Sequence, residues 1–146
     1  MSDENQAKAI ITEIEVRSTH VDEYGHANHA RYVEYLEWAR FDWYEANALP
    51  FADDGIGAAV VNVNVDFRRE AKRGDRLFIR TWVESIGKTS VRYGQRIDNS
   101  AGEAVCEAKV TAVAFDLQAR RAAPIPPELR ERLEGLMRSP EIEAAG

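Results

Sequence analysis

The chain has 146 residues, of which 45% are hydrophobic and 30% charged, and its formal net charge is −6. This length and balance predict one compact domain over residues 1–146, large enough to bury a sizeable core. The acidic excess gives no support for a nucleic-acid binder, and no run approaches the roughly 20 apolar residues that a membrane helix needs.

Cysteine usage and the opening residues bear on the cellular compartment. The one cysteine, Cys106, cannot form an intrachain disulfide. The first residues, MSDENQAK, are acidic and polar, without the basic start and apolar stretch of a secretory signal. Together these features predict a protein of the reducing cytoplasm. Residues 1–8 and 139–146 are expected to be flexible ends.

The first part of the chain is predicted to form a strand, a loop and a long helix. Residues 9–17 are rich in β-branched side chains and favour a strand, and 18–28 form a polar loop around Gly25. Segment 29–47 has apolar residues at steps of three and four, which predict a helix of about five turns. This apolar stripe consists of Tyr32, Leu36, Ala39, Trp43 and Ala46. Asn28 stands where an N-cap is expected.

The rest of the chain is predicted to form four strands and a short helix. After a loop, four apolar residues alternate with polar ones and predict a half-buried strand: Val61, Val63, Val65 and Phe67. Further strands are predicted at 75–86, 89–98 and 103–117, and a short helix at 126–138. Because the connectors are short, including the turn 72–75, neighbouring strands are expected to form antiparallel hairpins. The order predicts an α+β fold with one long helix packed on an antiparallel sheet.

The loop before the long helix concentrates titratable side chains. All three histidines, His20, His26 and His29, lie within ten residues and share this window with Asp22. A helix N-terminus presents unpaired N–H groups and a partial positive charge, which polarise a carbonyl oxygen and stabilise an oxyanion. A carboxylate held across an acyl carbon could attack that carbon or deprotonate a water. Gly25 would let a substrate approach the backbone without a Cβ in the way.

Three segments of the chain resemble the 4-hydroxybenzoyl-CoA thioesterase family. Residues 22–40, DEYGHANHARYVEYLEWAR, are similar to its signature of an Asp, two residues, a Gly, a polar stretch with Asn, and an aromatic-rich helix ending in Glu-x-Ala-Arg. Residues 63–97 resemble the second to fourth strands of that family, and 124–128 resemble its closing Ile-Pro-x-Glu. The resemblance covers about residues 10–135.

The resemblance implies a hotdog fold, in which an antiparallel sheet wraps around one long central helix. It also implies an acyl-CoA thioesterase that releases a free acid and coenzyme A without a metal or redox cofactor, coenzyme A being part of the substrate. Carried over residue by residue, the catalytic carboxylate is Asp22, as nucleophile or general base, and the helix start from Gly25 to His29 polarises the carbonyl. His26 and Asn28 complete the candidate catalytic set. The chain has His29 where many relatives have Asn, so the role of this residue stays open.

The resemblance further implies a homodimer or homotetramer whose sheets pair edge to edge. The active site would then be shared, with the loop and helix start from one subunit and part of the acyl pocket from the other. The identity of the acyl group, and the choice between coenzyme A and acyl carrier protein, stay open.

A basic group lies at the end of the predicted second strand. Coenzyme A carries a pyrophosphate and a 3′-phosphate, which basic side chains bind well. The candidate residues are Arg68, Arg69, Lys72 and Arg73, together with Lys88. A solvated surface is the alternative, because Asp66 and Glu70 lie close by in the sequence. Tyr32 is a further candidate for substrate contact, although the helix aromatics also suit a core or an interface.

Other functions compete with thioester hydrolysis. The histidines and Asp22 could form a metal site, but the spacing of His26 and His29 does not match a helical His-x-x-x-His pair. A serine hydrolase is disfavoured because no Gly-x-Ser-x-Gly elbow is present, and Cys106 is expected to be a core residue. A hotdog dehydratase or hydratase acting on acyl carrier protein or enoyl-CoA substrates remains an alternative, as does a non-catalytic acyl-CoA-binding module.

Overall fold

A computed structural model describes residues 10–50 and 55–137; the ends predicted to be flexible, 1–8 and 139–146, lie outside the described residues. The strands are β1 (Ile11–Glu15), β2 (Ile56–Phe67), β3 (Arg76–Ile86), β4 (Ser90–Asn99), β5 (Ala104–Asp116) and β6 (Arg121–Ala122). The helices are α1 (His29–Ala46) and α2 (Pro127–Gly135), and a 3-10 turn covers Ser18–His20. The predicted long helix, four later strands and short helix are therefore confirmed, while β6 was not predicted.

The strands form one antiparallel sheet in the order β1-β3-β4-β5-β2, with β6 paired to β5. The hairpins β3–β4 and β4–β5 are confirmed. The hairpin predicted across turn 72–75 is wrong, because β2 pairs with β5 whereas β3 pairs with β1. Segment 68–75 instead carries the chain past the loop that precedes α1, where the N–H of Ala27 donates to the carbonyl of Ala71 at 2.8 Å. This crossing brings two distant parts of the sequence to one end of the sheet.

The backbone of helix α1 comes closest to β1 and β3, and its buried side chains also pack on residues of β4 and β5. Its buried residues are Tyr32, Tyr35, Leu36, Ala39, Arg40 and Trp43, close to the predicted stripe. Inside this contact, the Gln95 side chain of β4 donates to the carbonyl of Leu36 at 2.9 Å and accepts from Arg40 at 3.0 Å. These bonds satisfy polar groups that burial would otherwise leave unpaired.

Strand β2 is far more exposed than its apolar alternation predicts. It starts earlier than predicted, at Ile56, and a register shift lies between Val60 and Asn62. On the side that faces the core, Val60, Val63 and Phe67 are 48%, 39% and 49% exposed. The physical reason is position: β2 lies at the edge of the sheet, and the backbone of α1 lies closer to β1 and β3 than to β2. The inner face of β2 is therefore open beside the helix.

Candidate active site

A tight turn carries Asp22. Val21 pairs with Ala27, and the N–H of Asp22 donates to the carbonyl of His26 at 3.0 Å. The turn closes where the N–H of Gly25 donates to the carbonyl of Asp22 at 3.0 Å. Gly25 has a φ of +81°, a conformation that side chains other than glycine's rarely adopt. The need for glycine at this position thus comes from the turn itself.

The carboxylate of Asp22 is exposed and partly oriented. Its Oδ1 accepts from the N–H of Tyr24 at 2.9 Å, a local bond within the turn. No residue in the described parts of the chain forms an ion pair with this carboxylate. One oxygen is therefore held by the backbone while the group stays accessible to a substrate or a water.

The N-terminus of α1 lies in the same region. Asn28 is the N-cap, as predicted, and its side-chain oxygen accepts from the N–H of Ala30 at 3.0 Å. The carbonyl of Asn28 accepts from the N–H of Arg31 at 2.8 Å. The N–H of His29 has no backbone or side-chain acceptor among the described residues, so it is available to a bound carbonyl oxygen.

Asp22 and the start of α1 line one open cavity of about 500 Å³, here named the Asp22 cavity. Its walls are formed by Asp22, Tyr24, His26, Ala27, His29, Tyr32, Phe67, Arg68, Arg69 and Glu70. Six of the predicted site residues are in this set, whereas Gly25 and Asn28 shape the turn and the cap behind it. Sequence reasoning missed Phe67, the last residue of β2, and Glu70, which segment 68–75 brings to the cavity.

His26 links the turn to the crossing segment. Its Nε2 lies 3.3 Å from Glu70 Oε2, and its backbone pairs with Lys72. This contact engages the ring at the cavity wall. Sequence spacing could not have identified Glu70 as the partner of His26, because the two residues are 44 positions apart.

Aromatic side chains form the apolar wall of the Asp22 cavity. The Tyr32 hydroxyl accepts from the N–H of Ala71 at 2.9 Å, and burial is the main reason that the pKa of this phenol is raised. The ring of Phe67 packs against Tyr32 and His29, with centroids 5.7 and 6.2 Å apart. The Tyr32 ring is thus a fixed surface rather than a source of protons at neutral pH.

The basic candidates differ in how they are paired. Arg68 donates to Glu107, and Arg69 lies 3.3 Å from Glu103. Lys72 and Arg73, in the turn beside His26, have no ion pair within the described residues. Lys88 lies in the turn between β3 and β4, at the opposite end of β3 from turn 72–75. A single chain therefore does not bring Lys88 together with Asp22.

Among residues 10–50 and 55–137, no group of three or more His, Cys, Asp or Glu side chains is arranged to hold a metal ion. Cys106 is fully buried beneath α1, and burial raises the pKa of its thiol to about 12. The prediction that Cys106 belongs to the core is confirmed. Neither helix of the described chain has the length and apolar character needed to cross a membrane.

A second open cavity, of about 630 Å³, lies at the other end of α1. It is lined by Phe41, Tyr44, Glu45, Ala48, Leu49, Gly57 and Ala58 and is here named the Phe41 cavity. Its walls come from the last turns of α1 and the first residues of β2. Most of these side chains are apolar, and Gly57 and Ala58 are among the smallest residues of the wall.

Comparisons with known proteins agree on one family. A family profile described as the thioesterase-like superfamily matches residues 16–133. The chain is 37% identical over 131 residues to the long-chain acyl-CoA thioesterase FadM of Escherichia coli, covering 87% of this chain and 98% of that protein.

Solved structures share the architecture. The crystal structure of YbaW, a probable thioesterase from Escherichia coli, has a TM-score of 0.73 at 34% identity. The match covers 88% of this chain and 99% of the YbaW chain. A DHNA-CoA thioesterase from Staphylococcus aureus has a TM-score of 0.79 at 24% identity, covering 86% of this chain and 89% of its own, which supports the fold alone.

Proposed function

The chain belongs to the thioesterase-like superfamily, with a hotdog fold, and is an acyl-CoA thioesterase; we propose that Asp22 is the residue that starts the hydrolysis. One observation carries this proposal: the Asp22 carboxylate and the N-terminus of α1 line the same open cavity. An acyl carbon bound between them would face a base or nucleophile on one side and an N–H donor on the other.

The proposed reaction can be written with Asp22 as general base. The carboxylate takes a proton from water, and the hydroxide adds to the carbonyl carbon of the thioester. The oxygen of the tetrahedral intermediate accepts a hydrogen bond from the N–H of His29, where the helix dipole favours negative charge. The carbon–sulfur bond then breaks, the thiolate of coenzyme A takes the proton, and the free acid leaves. No metal or redox cofactor is required.

Direct attack by Asp22 is the second route to the same products. The carboxylate would displace the thiolate to form an acyl–aspartyl anhydride, which water would then hydrolyse. Mass spectrometry of enzyme quenched during turnover distinguishes the routes. An acyl adduct on the peptide that contains Asp22 indicates the nucleophilic route, and its absence under conditions that preserve a synthetic anhydride indicates general-base catalysis.

Asp22→Asn tests the proposal, because it removes the charge but keeps the shape of the side chain. We expect kcat for acyl-CoA hydrolysis, followed by thiol release, to fall about 100-fold or more, the scale of losing a main catalytic group. Glu23→Gln is the matched control, since Glu23 is an adjacent exposed carboxylate that does not line the Asp22 cavity. Near-normal turnover by a folded Asp22→Asn enzyme would overturn the proposal.

The proposed enzyme is at least a homodimer that pairs the β2 strands of two copies. β2 is a 12-residue edge strand. The N–H and C=O groups along such an edge can form hydrogen bonds with a strand of another chain. Exposed apolar residues lie beside that edge on both β2 and α1: Val33, Phe41, Val60, Val63 and Phe67. Large exposed patches of this kind mark interaction sites, and most soluble oligomers are symmetric.

Pairing of this kind would make the two cavities neighbours. If two β2 strands pair antiparallel about a two-fold axis, the Phe67 end of one strand lies beside the Ile56 end of the other. The Phe41 cavity of the second copy would then adjoin the Asp22 cavity of the first. We therefore propose that the acyl chain extends from Asp22 into the apolar Phe41 cavity of the other subunit. The related FadM acts on long-chain acyl-CoA, and a two-cavity site suits a long acyl chain.

We assign the coenzyme A end of the substrate to the side of the Asp22 cavity opposite to the acyl chain. Lys72 and Arg73 are the candidate phosphate ligands there, because their side chains form no ion pair among the described residues. Arg68 and Arg69 can contribute after exchanging their Glu partners for a phosphate. The same two-fold arrangement would bring Lys88 of the second copy to this end of the molecule. We place the reaction in the cytoplasm, on the cysteine argument made from the sequence.

A further inference from the structure

His20 is buried at the contact between the 3-10 turn and α1, and its exposed fraction is only 9%. Its Nδ1 lies 3.2 Å from the backbone nitrogen of Arg17 and 2.9 Å from the hydroxyl oxygen of Tyr35. Because a backbone N–H can only donate, Nδ1 carries no hydrogen and accepts that bond. The Tyr35 hydroxyl then donates to the same nitrogen. The bond from the Arg17 N–H requires an imidazole without a hydrogen on Nδ1, which is a neutral form of the ring.

The backbone of His20 forms the base of the turn that carries Asp22. The carbonyl of His20 accepts from the N–H of Asn28, the cap of α1, at 3.2 Å. Two residues further along the chain, the N–H of Asp22 donates to the backbone carbonyl of His26 at 3.0 Å. A displacement of His20 is therefore transmitted to Asp22 through a short, hydrogen-bonded segment.

The His20 ring ties this segment to the body of α1. Its centroid lies 5.4 Å from that of Tyr35 and 6.0 Å from that of Trp38. Tyr35 is more than one helical turn beyond the start of α1, and Trp38 is more than two. A second tie comes from Arg31, whose guanidinium donates to the carbonyl of Thr19 at 3.3 Å. The Asp22 turn is thus fixed to the same helix whose N-terminus faces the cavity.

We propose that His20, in its neutral form, is a positioning residue for thioester hydrolysis, which holds the Asp22 carboxylate at a fixed distance from the N-terminus of α1. This inference rests on the proposed role of Asp22. His20 does not line the Asp22 cavity, so it acts through the turn rather than on the substrate. Reaction rates are sensitive to such placement, since an error of about 1 Å can cost roughly 100-fold.

The charged groups around His20 favour the neutral form. Burial lowers the pKa of the imidazole below its usual 6.5, and Arg31 on α1 and Arg17 before the turn lower it further, while Glu34 on α1 opposes them. Tyr35, also on α1, presents only its hydroxyl. Protonation would place a hydrogen on Nδ1 facing the backbone N–H of Arg17, which cannot accept it. The positioning contact is therefore complete at neutral pH and is lost as the pH falls through the lowered pKa of His20.

Two substitutions of His20 separate positioning from packing. His20→Leu fills the space but removes the acceptor, and we expect kcat to fall about 10-fold or more with KM changed less than about twofold. His20→Asn restores an acceptor near the position of Nδ1 but has no charge to gain. We expect His20→Asn to keep kcat within about threefold of the wild type and to shift the acid limb of its pH profile to lower pH.

Val16→Ala controls for stability, because Val16 is a fully buried core residue just before the turn and has no bond to the His20 ring. A His20→Leu enzyme with normal kcat would overturn the proposal. So would a Val16→Ala enzyme that loses as much kcat at an equal loss of Tm, or a His20→Asn enzyme as slow as His20→Leu. Asp22→Asn separates the two proposals: an inactive Asp22→Asn beside a fully active His20→Leu rejects the positioning role alone.

Discussion

The basic side chains in and beside the Asp22 cavity differ in how much charge they can offer a substrate. Arg68 and Arg69 face Glu107 and Glu103, so part of their interaction with a phosphate would replace an existing pair. Lys72 and Arg73 are exposed and unpaired within the described residues. Exposed ion pairs contribute about 0–1 kcal/mol, so pairing does not prevent phosphate binding but reduces the net gain.

The unpaired cations should therefore govern affinity for the coenzyme A end. For the double substitution Lys72→Ala and Arg73→Ala, we expect KM for acyl-CoA to rise about 3- to 10-fold, with kcat within about twofold. The rise should shrink in higher salt, because exposed charges are screened. Arg68→Ala, which removes a cation already paired with Glu107, should raise KM less. An unchanged KM in the double variant, measured by thiol release at low salt, would exclude these two residues.

At the scale of the element, the middle of the sheet depends on a close contact between β3 and β4. Trp82 of β3 lies directly against Gly94 of β4, its cross-strand neighbour. A Cβ built on Gly94 would come within 2.4 Å of the Trp82 ring. Trp82 is buried and its indole N–H donates to Glu84 at 3.3 Å, so the ring has little freedom to move aside. A glycine in mid-strand is explained here by the approach of a large ring.

Gly94→Ala should therefore destabilise the protein, by about 1–3 kcal/mol or more, as expected for overpacking a buried site. Gly135→Ala is the matched substitution, because nothing lies within 4 Å of a Cβ there and the residue ends α2. It should be neutral or stabilising by up to about 1 kcal/mol, since alanine favours the helix over glycine. Urea unfolding measures both variants. A Gly94→Ala protein as stable as the wild type would show that the Trp82 ring moves aside without a cost in the free energy of unfolding.

At the scale of the whole molecule, the open side of the sheet is the largest departure from a self-sufficient monomer. The backbone of α1 lies closer to β1 and β3 than to β2, and Val60, Val63 and Phe67 on the inner face of β2 stay exposed. The proposed dimer would cover that face and join the Asp22 cavity of one copy to the Phe41 cavity of the other. Catalysis and assembly should then be linked.

A charge placed on the inner face of β2 tests that link. Val63→Lys puts an ammonium group among the exposed apolar residues, where burial in an interface is costly. We expect this variant to sediment near the monomer mass of 16.5 kDa, while the wild type sediments near twice that mass or a higher multiple. Turnover of long-chain acyl-CoA should fall at least about 10-fold, because the acyl pocket is divided between subunits.

Asn62→Lys is the control for this prediction. Asn62 belongs to the same strand but alternates to the outer face, opposite Thr111 of β5. Its substitution should leave both assembly and turnover close to those of the wild type. A fully active Val63→Lys monomer would contradict the shared site, and a wild-type monomer would contradict the dimer itself.

The sequence by itself determined the features that depend on short-range patterns. The three- and four-residue steps predicted α1, Asn28 was identified as its cap, and the α+β order followed from alternation and turns. The resemblance around Asp22 identified the family, which the comparisons confirmed. These features are local because a helix cap, a turn and a hydrophobic period each involve residues within a few positions of one another.

Only the tertiary structure decided which distant residues meet. The pairing of β2 with β5, the path of segment 68–75 and the exposure of β2 all depend on contacts between residues far apart in the sequence. Those contacts bring Phe67 and Glu70 to Asp22. The packing of the 3-10 turn on α1 likewise sets His20 against Tyr35. Side-chain alternation states that a strand has two faces, but it does not state which element covers each face, because burial is a property of the assembled layers.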